Sequence, residues 1–141
     1  MKNIISILLL SIFIISCEQA DKSKITKQPL VASTHQVKSE NGYYIVQWGL
    51  EEDKIPYNEY FSITFTIKEP LKAINYSVDI DVNAGMREHN HGMHTLPIIK
   101  RINKQQFIAE GMLFHMRGKW QIEVGITRGI TRDTATIEVN L

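Results

Sequence analysis

From Tyr43 to Leu141 the chain alternates between apolar and polar residues in short runs. Phe61, Ile63, Phe65 and Ile67 are interleaved with Ser62, Thr64 and Thr66, and Ile74, Tyr76, Val78, Ile80 and Val82 with Asn75, Ser77, Asp79 and Asp81. A period of two sends successive side chains to opposite faces, so each run predicts a strand with one face in a core and the other in water. Trp120, Ile122, Val124 and Ile126 repeat the pattern, as do Ala135, Ile137, Val139 and Leu141, while Tyr43 to Trp48 and Ile98 to Ile102 predict shorter strands. Turn signals separate the runs at Glu51-Glu52-Asp53, Glu69-Pro70, Asn103-Lys104, Arg117-Gly118 and Arg128-Gly129. No segment of this part has the three-and-four spacing of a substantial helix.

Seven to eight short strands in about 100 residues predict one all-β domain, an immunoglobulin-like antiparallel β-sandwich, with a small closed barrel as the alternative. One irregularity is visible in advance. The apolar phase of Phe107 and Ala109 switches to Met112, Phe114 and Met116 with Gly111 at the change, which predicts a bulge or a tight turn. In the new phase Met112 and Met116 join Phe114 in the core, and His115 lies on the other face.

The N-terminal part follows different rules. Met1-Lys2-Asn3 carries one positive charge and the chain is then apolar from Ile4 to Ile15 apart from Ser6 and Ser11. That stretch is short of the roughly 20 residues of a spanning helix and ends in small Ser16, the profile of a signal peptide over residues 1–16. Ile14-Ile15-Ser16-Cys17 resembles the bacterial lipobox, which implies cleavage before Cys17 and attachment of acyl chains, diacylglycerol and a fatty acid such as palmitate, to that residue. Glu18 after Cys17 resembles the pattern of Gram-negative lipoproteins directed to the outer membrane. Residues 17–41 are polar, rich in Lys, Ser, Thr and Gln, and read as lipidated Cys17 followed by a flexible linker that contains His35, with the folded domain at 42–141.

Composition narrows the function. Cys17 is the only cysteine, so no internal disulfide and no Cys-containing zinc or redox motif is available. Removal of residues 1–16 takes away Lys2 alone among the charged residues, leaving fifteen basic against fifteen acidic side chains. A nearly neutral chain offers no basic stripe for phosphates, which argues against nucleic acid as a partner and leaves the bilayer to be reached through acylated Cys17. No activating His-Asp pair accompanies a serine, and no glycine-rich phosphate cradle occurs, so a non-enzymatic role is expected.

Against this plain background, four of the five methionines and four of the five histidines fall between residues 86 and 116. Thioether sulfur is a ligand for Cu(I), imidazole suits copper, and a set with no formal negative charge favours Cu(I), with Cu(II) feasible as imidazoles are added. Residues 83–97 read as a long loop between strands. His89 and His91, two apart, face the same side of an extended chain, and Gly92 allows a turn that returns Met93 or His94 to the same ion. His89, His91 and Met93 are the leading metal candidates, followed by His94 and Met86; a third or fourth ligand could also come, across the sandwich, from Met112, His115 or Met116, with His115 open between a ligand and a surface residue.

The pattern Met86-x-x-His89-x-His91-Gly92-Met93-x-Thr95-x-Pro97, followed by Phe107, Gly111 and Phe114-x-Met116-x-Gly118-x-Trp120, resembles the YtkA-like domain, a small extracytoplasmic module related in pattern to the FixH family. The resemblance covers roughly Tyr43 to Leu141 and departs from the family at Arg87-Glu88, where a turn pair is expected. It implies an immunoglobulin-like sandwich and an association with copper handling or oxidase assembly in the cell envelope or periplasm. The same motif admits an alternative, a non-metal envelope module that binds or scaffolds a protein partner, in which the His/Met loop is structural and packs against Trp120.

Overall fold

A computed structural model describes residues 35–72 and 75–141. The alternating runs become strands β1 (His35–Lys38), β2 (Ile45–Leu50), β3 (Tyr60–Lys68), β4 (Asp79–Met86), β5 (His91–Gly92), β6 (Ile98–Arg101), β7 (Gln106–Leu113), β8 (Lys119–Arg128) and β9 (Thr131–Asn140). They form two antiparallel sheets, one ordered β1-β2-β3-β7-β6 and the other β5-β4-β8-β9. The expected sandwich is the architecture, and the two separate sheets, each with its own edges, replace the closed barrel considered beside it. Among the described residues no helix is long and apolar enough to cross a membrane.

The inner faces follow the predicted phases. Ile63, Phe65 and Ile67 of β3 meet Phe107, Ala109 and Met112 of β7, and opposite them lie Ala84 and Met86 of β4, Trp120, Ile122, Val124 and Ile126 of β8, and Ala135 and Ile137 of β9. All are buried, most of them completely. Each large side chain removed from water in this way contributes about 1.5–3 kcal/mol, which is what holds a domain without cross-links together.

Four boundaries differ from the sequence reading. His35–Lys38, expected in the flexible linker, form β1, paired along its length with Ile45–Trp48 of β2, and the His35 ring stacks on Trp48 at 4.7 Å. The ordered domain therefore begins at least as early as His35. The run expected from Ile74 becomes a strand only at Asp79, although Val78 keeps the buried phase. That strand continues to Met86, so Asn83 to Met86 are ladder rather than loop. Two of the nine strands, β1 and the two-residue β5, lie where no strand is expected. The signal peptide, Cys17 and the linker up to residue 34 lie outside the described residues, as do Ala73 and Ile74.

The irregularity at Gly111 is a bulge. Phe61 pairs with Met112 and the next residue, Ser62, with Glu110, so Gly111 is the extra residue on β7. Its φ of 79° lies in the left-handed region, where a side chain is strained and glycine is not. The extra residue is what turns both Met112 and Phe114 inward.

One buried charge joins the two sheets. Asp133 of β9 is 2% exposed and accepts hydrogen bonds from the backbone and side-chain amides of Asn41 at 3.1 Å and from the backbone amide of Thr134 at 2.8 Å. Tyr43 N–H is a further, longer donor at 3.4 Å. Burial pushes this carboxyl up, but hydrogen bonds from Ser39, Asn41, Thr134 and Tyr43 together outweigh it and hold the group below its ordinary value. The turn between β1 and β2 is thus tied to the opposite sheet.

Candidate functional site

The His/Met segment is built on the end of β4. Arg87–His89 form one 3-10 turn, Asn90 follows in the left-handed conformation with φ 52°, and β5 then returns along β4 with Gly85 opposite Gly92 and Met86 opposite His91. Two exposed ion pairs, Arg87 with Glu123 at 3.9 Å and Glu88 with Lys119 at 4.0 Å, lie between the turn and β8. Residues opposed across an antiparallel pair share a face. Because Met86 faces the core, His91 is turned to the inner side at the sheet's edge. Met93 donates its N–H to the carbonyl of Ala84 at 3.0 Å and packs against the core.

From there the chain crosses to the other sheet, fixed by the Thr95 hydroxyl donating to the carbonyl of Gly111 at 3.0 Å. The connection between β7 and β8 meets it. Phe114 stacks on Trp120 at 4.3 Å and 6°, and the Trp120 indole N–H donates to the carbonyl of Met116 at 2.9 Å. Gly118, with φ 121°, exchanges backbone hydrogen bonds with Leu141. A Cβ there would stand 3.0 Å from the Met86 methyl group, which would have to shift by a few tenths of an ångström, and the backbone conformation itself favours glycine.

These elements bring four imidazoles into one chain of rings. His89 lies 5.9 Å from His91, His91 lies 5.4 Å from His115, and His115 stacks on His94 at 4.1 Å and 24°. The Trp120 ring meets His91 and His115 edge to face, at 6.1 and 5.6 Å. His89 and His94 are exposed, and His91 and His115 half-buried. Burial, then the nearby His94 and His91, push the His115 imidazole below its ordinary value, so its neutral form is favoured. His91 Nδ1 lies 3.3 Å from the carbonyl of Gly92. A carbonyl only accepts, so this contact is a hydrogen bond only in the tautomer with the proton on Nδ1, which leaves Nε2 open to a ligand.

Ring spacing limits which of these can share an ion. With a metal–nitrogen distance of about 2.0–2.1 Å an imidazole centroid stands about 3.2 Å from the metal, so two ligating rings have centroids about 4.5 Å apart at a right angle, about 5.2 Å at the tetrahedral angle and about 6.4 Å in a line. The His89–His91 and His91–His115 spacings fall inside that range. The His94–His115 spacing falls below it, and two rings stacked nearly parallel do not aim their lone pairs at one point. Among the described residues no three His, Cys, Asp or Glu side chains converge as a formed metal site, so an ion would have to draw the rings together.

The sequence candidates are thereby sorted. His89 and His91 are neighbours, although a 3-10 turn rather than an extended chain separates them, and Gly92 lies in β5 instead of making a return turn. Met93 lies on the inner side with His91. His94 faces His115. Met86 is 2% exposed in the core, which gives it a packing duty in place of the ligand role expected of it. Met112 is core, as expected, but Met116 is 36% exposed because β7 ends at Leu113 and its phase lapses. His115 is the residue the sequence left undecided, and only the tertiary meeting of two distant segments places it in the cluster.

A groove of about 290 Å³ lined by Asn83, Arg87, Asn90, His91, Gln121 and Glu123 borders the same hairpin. It lies on the outer face of β4 and β8, and of the four clustered histidines only His91 touches it. The cluster is therefore a surface feature rather than a chamber. No family model matches the chain, and no curated protein or solved structure matches it.

Proposed function

We propose that this chain is a membrane-anchored extracytoplasmic lipoprotein whose sandwich domain, similar to YtkA-like domains, binds copper through His89, His91 and Met93. The observation that carries the reading is the pairing of His89 with His91 at a spacing two ligands of one ion can adopt. Met93, on the inner side beside His91, supplies the soft sulfur that suits Cu(I). With few neutral ligands at the surface, the domain holds an ion and passes it by ligand exchange to an envelope partner, in metal handling or oxidase assembly. Acylated Cys17 keeps the exchange at the bilayer, the outer membrane in a Gram-negative cell. No bond of a substrate is made or broken.

Titration of the purified protein with Cu(I), Cu(II) and Zn(II) tests this. Copper is expected to bind, and the His89→Ala/His91→Ala/Met93→Ala variant to bind it at least tenfold more weakly. Equal binding by the two proteins rejects the reading.

The packing of Met93 against the core and the contact of His91 with Trp120 favour a second reading, an envelope protein-binding module in which the hairpin is a structural lid. In that case the triple variant melts at clearly lower temperature without any metal. A copper site on an otherwise independent fold predicts a smaller change.

A further inference from the structure

We propose that His115 is the third imidazole of this site and that its stack on His94 holds it in reserve until a metal ion draws it away. The inference rests on the copper reading above and adds a residue from a different part of the chain. His115 lies more than twenty positions beyond His94, on the connection between β7 and β8, and no spacing rule links it to the His89-x-His91 pair.

Three observations carry it. First, His115 Nδ1 is buried and has no hydrogen-bond partner among the described residues. Buried ring nitrogens are normally satisfied, and an orphan beside other imidazoles is accounted for if the ring turns towards a ligand. Second, the His115 ring stands 5.4 Å from His91, close to the spacing of about 5.2 Å for two imidazoles on a tetrahedral ion. Third, the edge-to-face contacts of both rings with Trp120 give them a common wall, and Trp120 is itself fixed by Phe114 and by its bond to Met116. The rings that would have to converge already share one rigid support.

His94 then has a different role from the one its position in the sequence suggests. Its ring covers the face of His115, and the stacked pair cannot serve one ion together. Contact with His94 stabilises the empty arrangement, and binding replaces the stack with a third nitrogen. Three neutral imidazoles extend the site from Cu(I) towards Cu(II), so the same centre can take copper in either state.

The two residues therefore predict opposite effects. His115→Ala is expected to weaken Cu(II) binding by the purified full-length protein at least tenfold, the scale on which metal sites respond to lost support. His94→Ala is expected to leave binding unchanged or to tighten it. Nitrogen NMR of the imidazoles during titration of the wild-type protein with Ag(I), a redox-stable stand-in for Cu(I), gives a readout that needs no variant to fold. Ring nitrogens of His89, His91 and His115 should move to coordinated positions while those of His94 do not. Coordination shifts at His89 and His91 without one at His115, or equal Cu(II) affinity of His115→Ala and wild type, overturns the proposal and leaves the loop reading standing. Absence of any metal binding by the wild-type protein overturns both.

Discussion

Asp133 shows how much one side chain can hold in a domain with no cross-links. Three amide donors from two segments converge on its carboxylate within 3.1 Å. Asp133→Ala removes the buried acceptor that these part-buried donors share and is expected to lower stability by about 1–3 kcal/mol, read from urea unfolding at neutral pH. Because the folded state holds this carboxyl below its ordinary value, the stabilisation is complete above the normal carboxylate range and is lost as pH falls through the folded value. His115 is also lowered, from 6.5, so its contribution has the same sign but disappears earlier, as pH falls below that value. Stability should thus decline in two stages on acidification, the first reduced in His115→Ala and the second, to which Glu69 bonded to Tyr76 also contributes, reduced in Asp133→Ala. Asp133 could not be singled out from sequence, where it reads as a polar position before the alternating run of Ala135, and His115 stays open there between a ligand and a surface residue because its partners lie on other segments.

Strands were the most readable elements, because Phe61 to Ile67, Trp120 to Ile126 and Ala135 to Val139 each keep one phase long enough to define a face. Reading failed where pairing, not periodicity, makes the strand. β5 has two residues, one of them glycine, and exists through its register with Gly85 and Met86. The Met86 assignment fell with it, since a methionine in a supposed loop is free to bind metal and the same methionine at a strand's end is core. Gly111 was readable as an irregularity and is a bulge on β7. Gly111→Ala meets no atom within 4 Å, yet its φ of 79° carries a conformational cost, so a loss of about 1–2 kcal/mol in thermal or urea unfolding is expected. If the residue took up an ordinary conformation instead, the phase of Met112 and Phe114 would shift and Trp120 would lose its stacking partner, visible in the near-ultraviolet circular dichroism.

At the scale of the whole molecule, composition alone misplaces the start of the domain. Residues from His35 to Lys38 are as polar as the stretch before them, and they are held by β2, by the His35–Trp48 stack and by the Asp133 network that follows. A chain beginning at Ser39 should therefore melt at lower temperature than one beginning at His35, by several degrees for each kcal/mol lost in a domain of about 100 residues. The strand count and the edges follow from these additions.

One flank of the sandwich lies between the outer edge of β4 and the edge strand β6. Strand pairing does not close it: at one end Arg101 and Asp79 form an ion pair, and at the other the imidazole rings lie where the chain crosses from one sheet to the other. These two fastenings obey different solution variables. Added salt screens the exposed ion pair, whereas acid acts at the other end through His115, whose burial and neighbouring imidazoles disfavour its charged form. The seam can thus be loosened from either end separately, and ionic strength and acidity become independent handles on how firmly the two sheets are held along it.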